Sequence, residues 1–260
     1  MVKHFVDIDQ FKKKQIDGLI KDAKLLKKYP NKFKNYFKDR TLGLLFEKQS
    51  LRTRLSFTTG MQKMGGNVIQ LNSEDIGLGI RESNKDILKT LSQYVDCLMI
   101  RNHDHKTIML YQSLNYLPII NGLSEYSHPC QILSDLLTID ESIGAIKNKL
   151  ICWIGDFNNV LRSLIHLQKI YFFNLNVVMP KEIIIKNKKE INFFNSSNLK
   201  FTNNINDGVT KSNCIMTDAW VSMGEKDNKK KKYFKNYKVT KDVMKLTNKD
   251  AIFMHCLPAH

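Results

Sequence analysis

"TLGLLFEKQSLRTRLSF", residues 41–57, changes character in its middle. Its first six residues form a short apolar run without polar alternation, the mark of a strand buried on both faces. From residue 51 the apolar spacing becomes helical, over 51–64. The same alternation recurs along the chain. Apolar runs stand at 96–100, 116–121, 149–155, 175–180, 213–218 and 251–258, with helical stretches at 85–94, 131–139 and 160–171. Continuous apolar strands separated by helices predict parallel sheets covered on both faces. A helix from near Pro129 to about Gly144 divides the series. The expected fold is therefore α/β: two doubly wound parallel-sheet domains, 1–140 and 141–260, joined by that interdomain helix.

The 260 residues are 42% hydrophobic and 25% charged, enough for two modest cores. No apolar run is long enough to cross a bilayer, so no membrane role is expected. The N-terminus lacks the apolar centre of a signal peptide, and five cysteines without a C-x-x-C pair suit a reducing compartment. A cytoplasmic protein is expected. The formal charge of +16 invites a nucleic-acid reading. Much of it, however, is lysine diluted among asparagines, with no recurring basic-aromatic stripe, so no nucleic-acid partner is expected.

Polar groups gather just beyond the strand ends: Ser50, Arg101, His128, Asp156, Asp218 and Cys256. Ligands of open α/β sheets collect there, and so do helix caps. "SLRTR" (50–54) offers free first-turn N–H groups, hydroxyls at Ser50 and Thr53, and the planar fork of Arg52. That is an anion grip, or a capping serine followed by exposed arginines with Arg54 in a structural pair. "HPCQ" places donors His128 and Gln131 where both can address one carbonyl oxygen, although a capping histidine reads the same way. "GDFNNV" (155–160) has too few glycines for a dinucleotide loop. In "TDAWVSMG" (217–224), Asp218 suits an ammonium, with Ser222 and Met223 in the following loop. Cys256 in "HCLP" has no assignable base. Neither His255, Cys256 and His260 nor His103 and His105 completes a metal ligand set, so no metal and no cofactor are expected.

Together, "SLRTR", "YVDCLMIR", "INGLSEYSHPCQ", "IGDFNNV", "TDAWVSMG" and "HCLPAH" resemble the transcarbamoylases in order and spacing, from Thr41 onward. "WVSMG" with "HCLP" is similar to the branch that carbamoylates ornithine. The resemblance implies that Ser50, Leu51, Arg52, Thr53 and Arg101 bind the phosphate of carbamoyl phosphate. His128 and Gln131 would hold its carbamoyl group, beside Cys256 and Leu257. Asn159, Asp218, Ser222 and Met223 would bind L-ornithine, giving citrulline and phosphate. Arg52, Arg101, His128 and Cys256 would carry the chemistry, Cys256 as proton acceptor aimed by a cis Leu257–Pro258 peptide. A homotrimer is implied, and arginine metabolism as the setting. Sister enzymes acting on putrescine or an acylated ornithine, a silent binding subunit and an RNA-binding role are the alternatives. Leu51 departs from the family's usual threonine, and Gly77 from a glutamine common in bacterial members. The chain ends at His260 where the family continues with an arginine and a last helix, which leads to the expectation of reduced activity and stability.

Overall fold

The computed structural model describes residues 3–48, 50–72, 76, 82–220, 228–257 and 259. Two compact units divide the chain, Met1–Leu133 and Ser134–His260. The division falls inside one helix, Pro129–Ile143. No helix among the described residues is long and apolar enough to cross a membrane.

The first unit is built on a four-stranded parallel sheet. Its strands are β1 (Thr41–Phe46), β2 (Asn67–Asn72), β3 (Cys97–Arg101) and β4 (Ile119–Leu123), in the order β2-β1-β3-β4. Helices α1 (Lys13–Lys28), α2 (Leu51–Lys63), α3 (Asn84–Leu91) and α4 (His105–Leu114) accompany it. Helix α5 (Pro129–Ile143) follows β4. Successive strand residues point to opposite faces, which explains the unbroken apolar runs. Leu98 and Ile100 pack into one core cluster with Leu45, Leu88 and Ile108. Met99, between them, enters the other cluster with Leu42, Leu44 and Phe46. Fully burying each such side chain contributes about 1.5–3 kcal/mol.

The second unit holds a five-stranded parallel sheet. Its strands are β5 (Leu150–Ile154), β6 (Asn174–Val178), β7 (Leu199–Thr202), β8 (Cys214–Thr217) and β9 (Ile252–His255), in the order β7-β6-β5-β8-β9. Its helices are α6 (Asn159–Tyr171), α7 (Lys181–Lys186), α8 (Lys188–Phe194), α9 (Ile205–Val209), α10 (Asn228–Phe234) and α11 (Lys241–Lys245). The two-domain parallel α/β architecture expected from the apolar runs is the one observed.

Three features escape the sequence pattern. Strands β2 and β7 close one edge of each sheet, and their half-exposed residues carry no apolar run. The strand expected at 116–121 instead runs from Ile119 to Leu123, because Pro118 has no N–H to donate and stands before the strand proper. Between Ile100 and Arg101 the β3–β4 register shifts, Ile100 facing Asn121 and Arg101 facing Leu123. Gly122 is the extra residue of this bulge. A Cβ there would collide with Met99 Sδ and lie 3.3 Å from the Ile100 carbonyl oxygen. Bulges of this kind bend the strand that holds the extra residue, here the end of β4, which leads into Ser124. The N-terminal segment also joins the free edge of β4: Phe5 N–H donates to Ile119 O, and Asn121 N–H to Phe5 O, each at 2.8 Å.

Candidate active site

Each sheet reverses its winding once, and polar side chains cluster at both reversals. In the first unit the chain goes from β1 out to β2 and then back to β3 on the other side of β1. The loops leaving β1 and β3 therefore part, opening a crevice at their carboxyl ends. Ser50 ends the first loop as the N-cap of α2, its hydroxyl accepting the Thr53 N–H at 3.3 Å. The N–H groups of Leu51 and Arg52 belong to the first helical turn and have no intrahelical acceptor. Arg101 ends β3 and donates from Nη1 to the Thr53 hydroxyl at 2.9 Å.

Arg101 is only 4% exposed, its Nε lacks a hydrogen-bond partner among the described residues, and no carboxylate pairs with it there. Burial lowers its pKa from the ordinary guanidinium value. A buried cation held by one neutral hydroxyl is a demand for an anion. Arg54 has other business: it donates to Gln70 Oε1 at 2.5 Å and stacks 4.3 Å over the Phe46 ring. Among the described residues a hydrogen bond and a ring contact hold it, and no salt bridge does. Arg52 and Leu51 stand exposed on the first turn.

His128 precedes Pro129, and its carbonyl accepts the Ile132 N–H at 3.3 Å, so its backbone does cap α5. Burial first, and then the Arg101 charge, push the imidazole down to about 3. It is therefore neutral at physiological pH, suited to donating a hydrogen bond rather than a charge. Gln131, half-buried, follows on the first turn of α5. This depression fixes a sign. An unfolded histidine takes up its proton near pH 6.5, the folded one only near 3. Between these values the unfolded state binds more protons, so stability falls as pH falls. The expected result for His128→Gln is a smaller loss of unfolding free energy between pH 7 and pH 4.5, by about 2–3 kcal/mol. Urea titrations at the two pH values measure it.

The second unit reverses between β5 and β8. Asp218, just past β8, is the hub of this crevice. Its Oδ2 accepts Asn158 Nδ2 at 2.7 Å, while Oδ1 accepts the Ala219 N–H and the Cys256 thiol, each at 2.7 Å. No cation pairs with it among the described residues. Burial, then the Asp218 charge, push the Cys256 thiol up to about 12, so it is protonated at neutral pH. Asn158 also caps α6, its Oδ1 accepting the Leu161 N–H at 3.0 Å. Nearby, Asp156 pairs with Lys230 at 2.5 Å. That lysine of the "KKKK" run is mostly covered in an ion pair, not spread on a solvated face.

Family models match the chain on both sides of α5. Residues 3–141 match the carbamoyl-phosphate-binding domain of aspartate/ornithine carbamoyltransferases, and 147–260 match the Asp/Orn-binding domain. The chain belongs to the aspartate/ornithine carbamoyltransferase family. It is 37% identical over 263 residues to an ornithine carbamoyltransferase of Psychrobacter arcticus, covering all of this chain and 85% of that protein. With the Nitrobacter winogradskyi protein of the same name it shares 39% over 252 residues, 96% of this chain and 78% of the relative. Among solved structures, the anabolic ornithine carbamoyltransferase of Campylobacter jejuni superposes with a TM-score of 0.87 at 34% identity, covering 100% of this chain and 87% of that one. The Pyrococcus furiosus enzyme gives 0.88 at 32%, covering 99% and 85%.

For this carbamoyltransferase chain, the first unit brings together Ser50, Thr53 and Arg101, and the second brings together Asp218 and Cys256. Leu257 is exposed, and Asn159 is half-buried one residue beyond the cap. Asn158, which the resemblance does not name, also reaches Asp218. An asparagine immediately before a helix is a capping signal, and that signal was available in "FNNV". Ser222, Met223, Gly77 and Pro258, hence the Leu257–Pro258 peptide, lie outside the described residues.

Proposed function

We propose that this chain transfers the carbamoyl group of carbamoyl phosphate to the δ-amine of L-ornithine, releasing citrulline and phosphate. One observation carries the reading: the crevices hold opposite charges without ionic partners among the described residues. Buried Arg101 in the first unit calls for an anion, and Asp218 in the second calls for a cation. An ornithine ammonium complements Asp218. Aspartate, with two carboxylates, would be repelled by it.

In the first unit, Arg101, Arg52, the hydroxyls of Ser50 and Thr53 and the N–H groups at the start of α2 receive the phosphate. Neutral His128 donates to the carbamoyl oxygen, with Gln131 as second donor, and so stabilises the oxyanion that forms. In the second unit Asp218, with Asn158, Asn159, Ser222 and Met223, orients the amino acid. The deprotonated δ-amine attacks the carbamoyl carbon. The C–O bond to phosphate then breaks, its electron pair leaving with phosphate. Cys256 remains a thiol and contributes by holding Asp218. The amine proton passes to the departing phosphate, the most basic group released in the step, which thereby leaves as the hydrogen phosphate dianion. Citrulline formation assigns the chain to arginine metabolism, and family membership supports a cytoplasmic homotrimer as its working form.

The test is turnover of carbamoyl phosphate by the purified chain against a panel of ornithine, putrescine, N-acetylornithine and aspartate. The expected outcome is citrulline from ornithine at a kcat/KM at least about a hundredfold above the others. Preference for another amine would overturn the assignment.

A further inference from the structure

We propose that His105, its tautomer set by Asp7, is a positioning residue that fixes His128, acting through Ser124 and Ser127. All five lie in the first unit, and the first two come from segments that no site motif includes. Asp7 is buried in the N-terminal segment that pairs with β4, and His105 opens α4. His105 Nε2 meets Asp7 Oδ2 at 3.1 Å, and its Nδ1 meets the Ser124 hydroxyl at 2.8 Å. Asp7 Oδ1 has no hydrogen-bond partner among the described residues. His105 is thus the group that compensates burial of this carboxylate.

The relay continues toward the site. Ser124 Oγ accepts the Ser127 N–H at 3.1 Å, and the Ser124 N–H donates to Ser127 O at 2.9 Å. The Ser127 hydroxyl accepts Asn121 Nδ2 at 2.9 Å, and the same amide donates to Val6 O at 3.0 Å. The four-residue turn 124–127 is therefore tied at both ends to the N-terminal segment, and its next residue is His128. The Tyr126 ring lies over His105 at 5.0 Å, closing the turn against the imidazole. A carboxylate only accepts, so Asp7 keeps a proton on Nε2. In the neutral ring this turns the Nδ1 lone pair toward the Ser124 O–H. A catalytic donor must be held to a fraction of an ångström, and packing alone leaves a turn freer than that.

The inference rests on the role given to His128 under Proposed function, and two variants separate it from a merely structural part. Glutamine reproduces the Nε2 end of a histidine and asparagine the Nδ1 end. His105→Gln keeps the bond to Asp7 and loses Ser124, whereas His105→Asn does the reverse. Carbamoyl phosphate affinity by calorimetry is expected to fall about tenfold in His105→Gln and to recover most of that in His105→Asn. Exchange of the Ser127 amide proton, followed by NMR, is expected to speed up in the glutamine variant and not in the asparagine one. The opposite order, or equal effects of both, would overturn the proposal, since a role confined to anchoring Asp7 predicts damage from asparagine. If the unmodified protein binds no carbamoyl phosphate, the functional reading fails by itself. The Ser127 exchange and the His128 ring ¹⁵N signals still decide whether His105 sets this turn.

Discussion

Arg101→Met is expected to unfold at a higher temperature than the unmodified protein and to bind carbamoyl phosphate about a hundredfold or more weakly. Both halves follow from one fact. Arg101 is buried at the carboxyl end of β3, donates to the Thr53 hydroxyl at 2.9 Å and has no carboxylate beside it among the described residues. Such a charge is unfavourable until an anion arrives. An apolar side chain of similar length removes the desolvation penalty and leaves Thr53, which is half-buried, able to turn to water. The gain should be about 1–3 kcal/mol, set against the burial of a cation that has found no counter-charge. The loss is that of the principal cation for the phosphate. Calorimetric melting and carbamoyl phosphate titration on the same preparation test both halves. A lower melting temperature with intact binding would show that Arg101 is a structural residue. Lysine is not a conservative alternative, since it lacks the fork that addresses Thr53 and phosphate together.

Asp218→Asn is expected to reduce kcat/KM for ornithine by about a thousandfold while leaving carbamoyl phosphate affinity within about twofold. The carboxylate accepts from Asn158 Nδ2, the Ala219 N–H and the Cys256 thiol. An amide offers one acceptor oxygen, so its NH2 must face one of these donors. The ammonium of the substrate also loses its counter-charge. Carbamoyl phosphate is spared because the groups proposed to receive its phosphate and carbamoyl oxygen, Arg52, Arg101, His128 and Gln131, belong to the first unit. A second readout comes from Cys256. Its thiol is held up at about 12 by burial and then by the Asp218 charge, so removing the charge lowers the pKa, while burial keeps it above the ordinary value. Alkylation of Cys256, followed by peptide mass spectrometry across the alkaline range, should set in at lower pH in the variant. An unchanged alkylation profile with full activity would remove Asp218 from the substrate site.

The apolar runs, the alternation of strand and helix, and the loop motifs were legible because each depends on residues near in sequence. "TLGLLF" reads as a doubly buried strand since its neighbours in the sheet impose the same apolar demand on both faces. Ser50 and His128 were legible as groups at strand and helix ends, although their spacing alone left capping and substrate binding equally open. The structure makes both of them caps, by side chain in one and by backbone in the other. Capping and ligand binding use the same end of a helix, so one does not exclude the other.

By itself, then, the sequence determined the α/β class, the order of the strands' apolar runs and the family to which the chain belongs, since local periodicity and short motifs carry these. Tertiary contacts alone leave Arg101 without a carboxylate partner among the described residues, join Asn158 to Asp218 and make Gly122 the spare residue of a bulge. They alone bring Asp7 to His105, 98 positions apart by their numbers, 105 − 7. Charge compensation and hydrogen-bond partnership are properties of space, and no reading of neighbours along the chain supplies them.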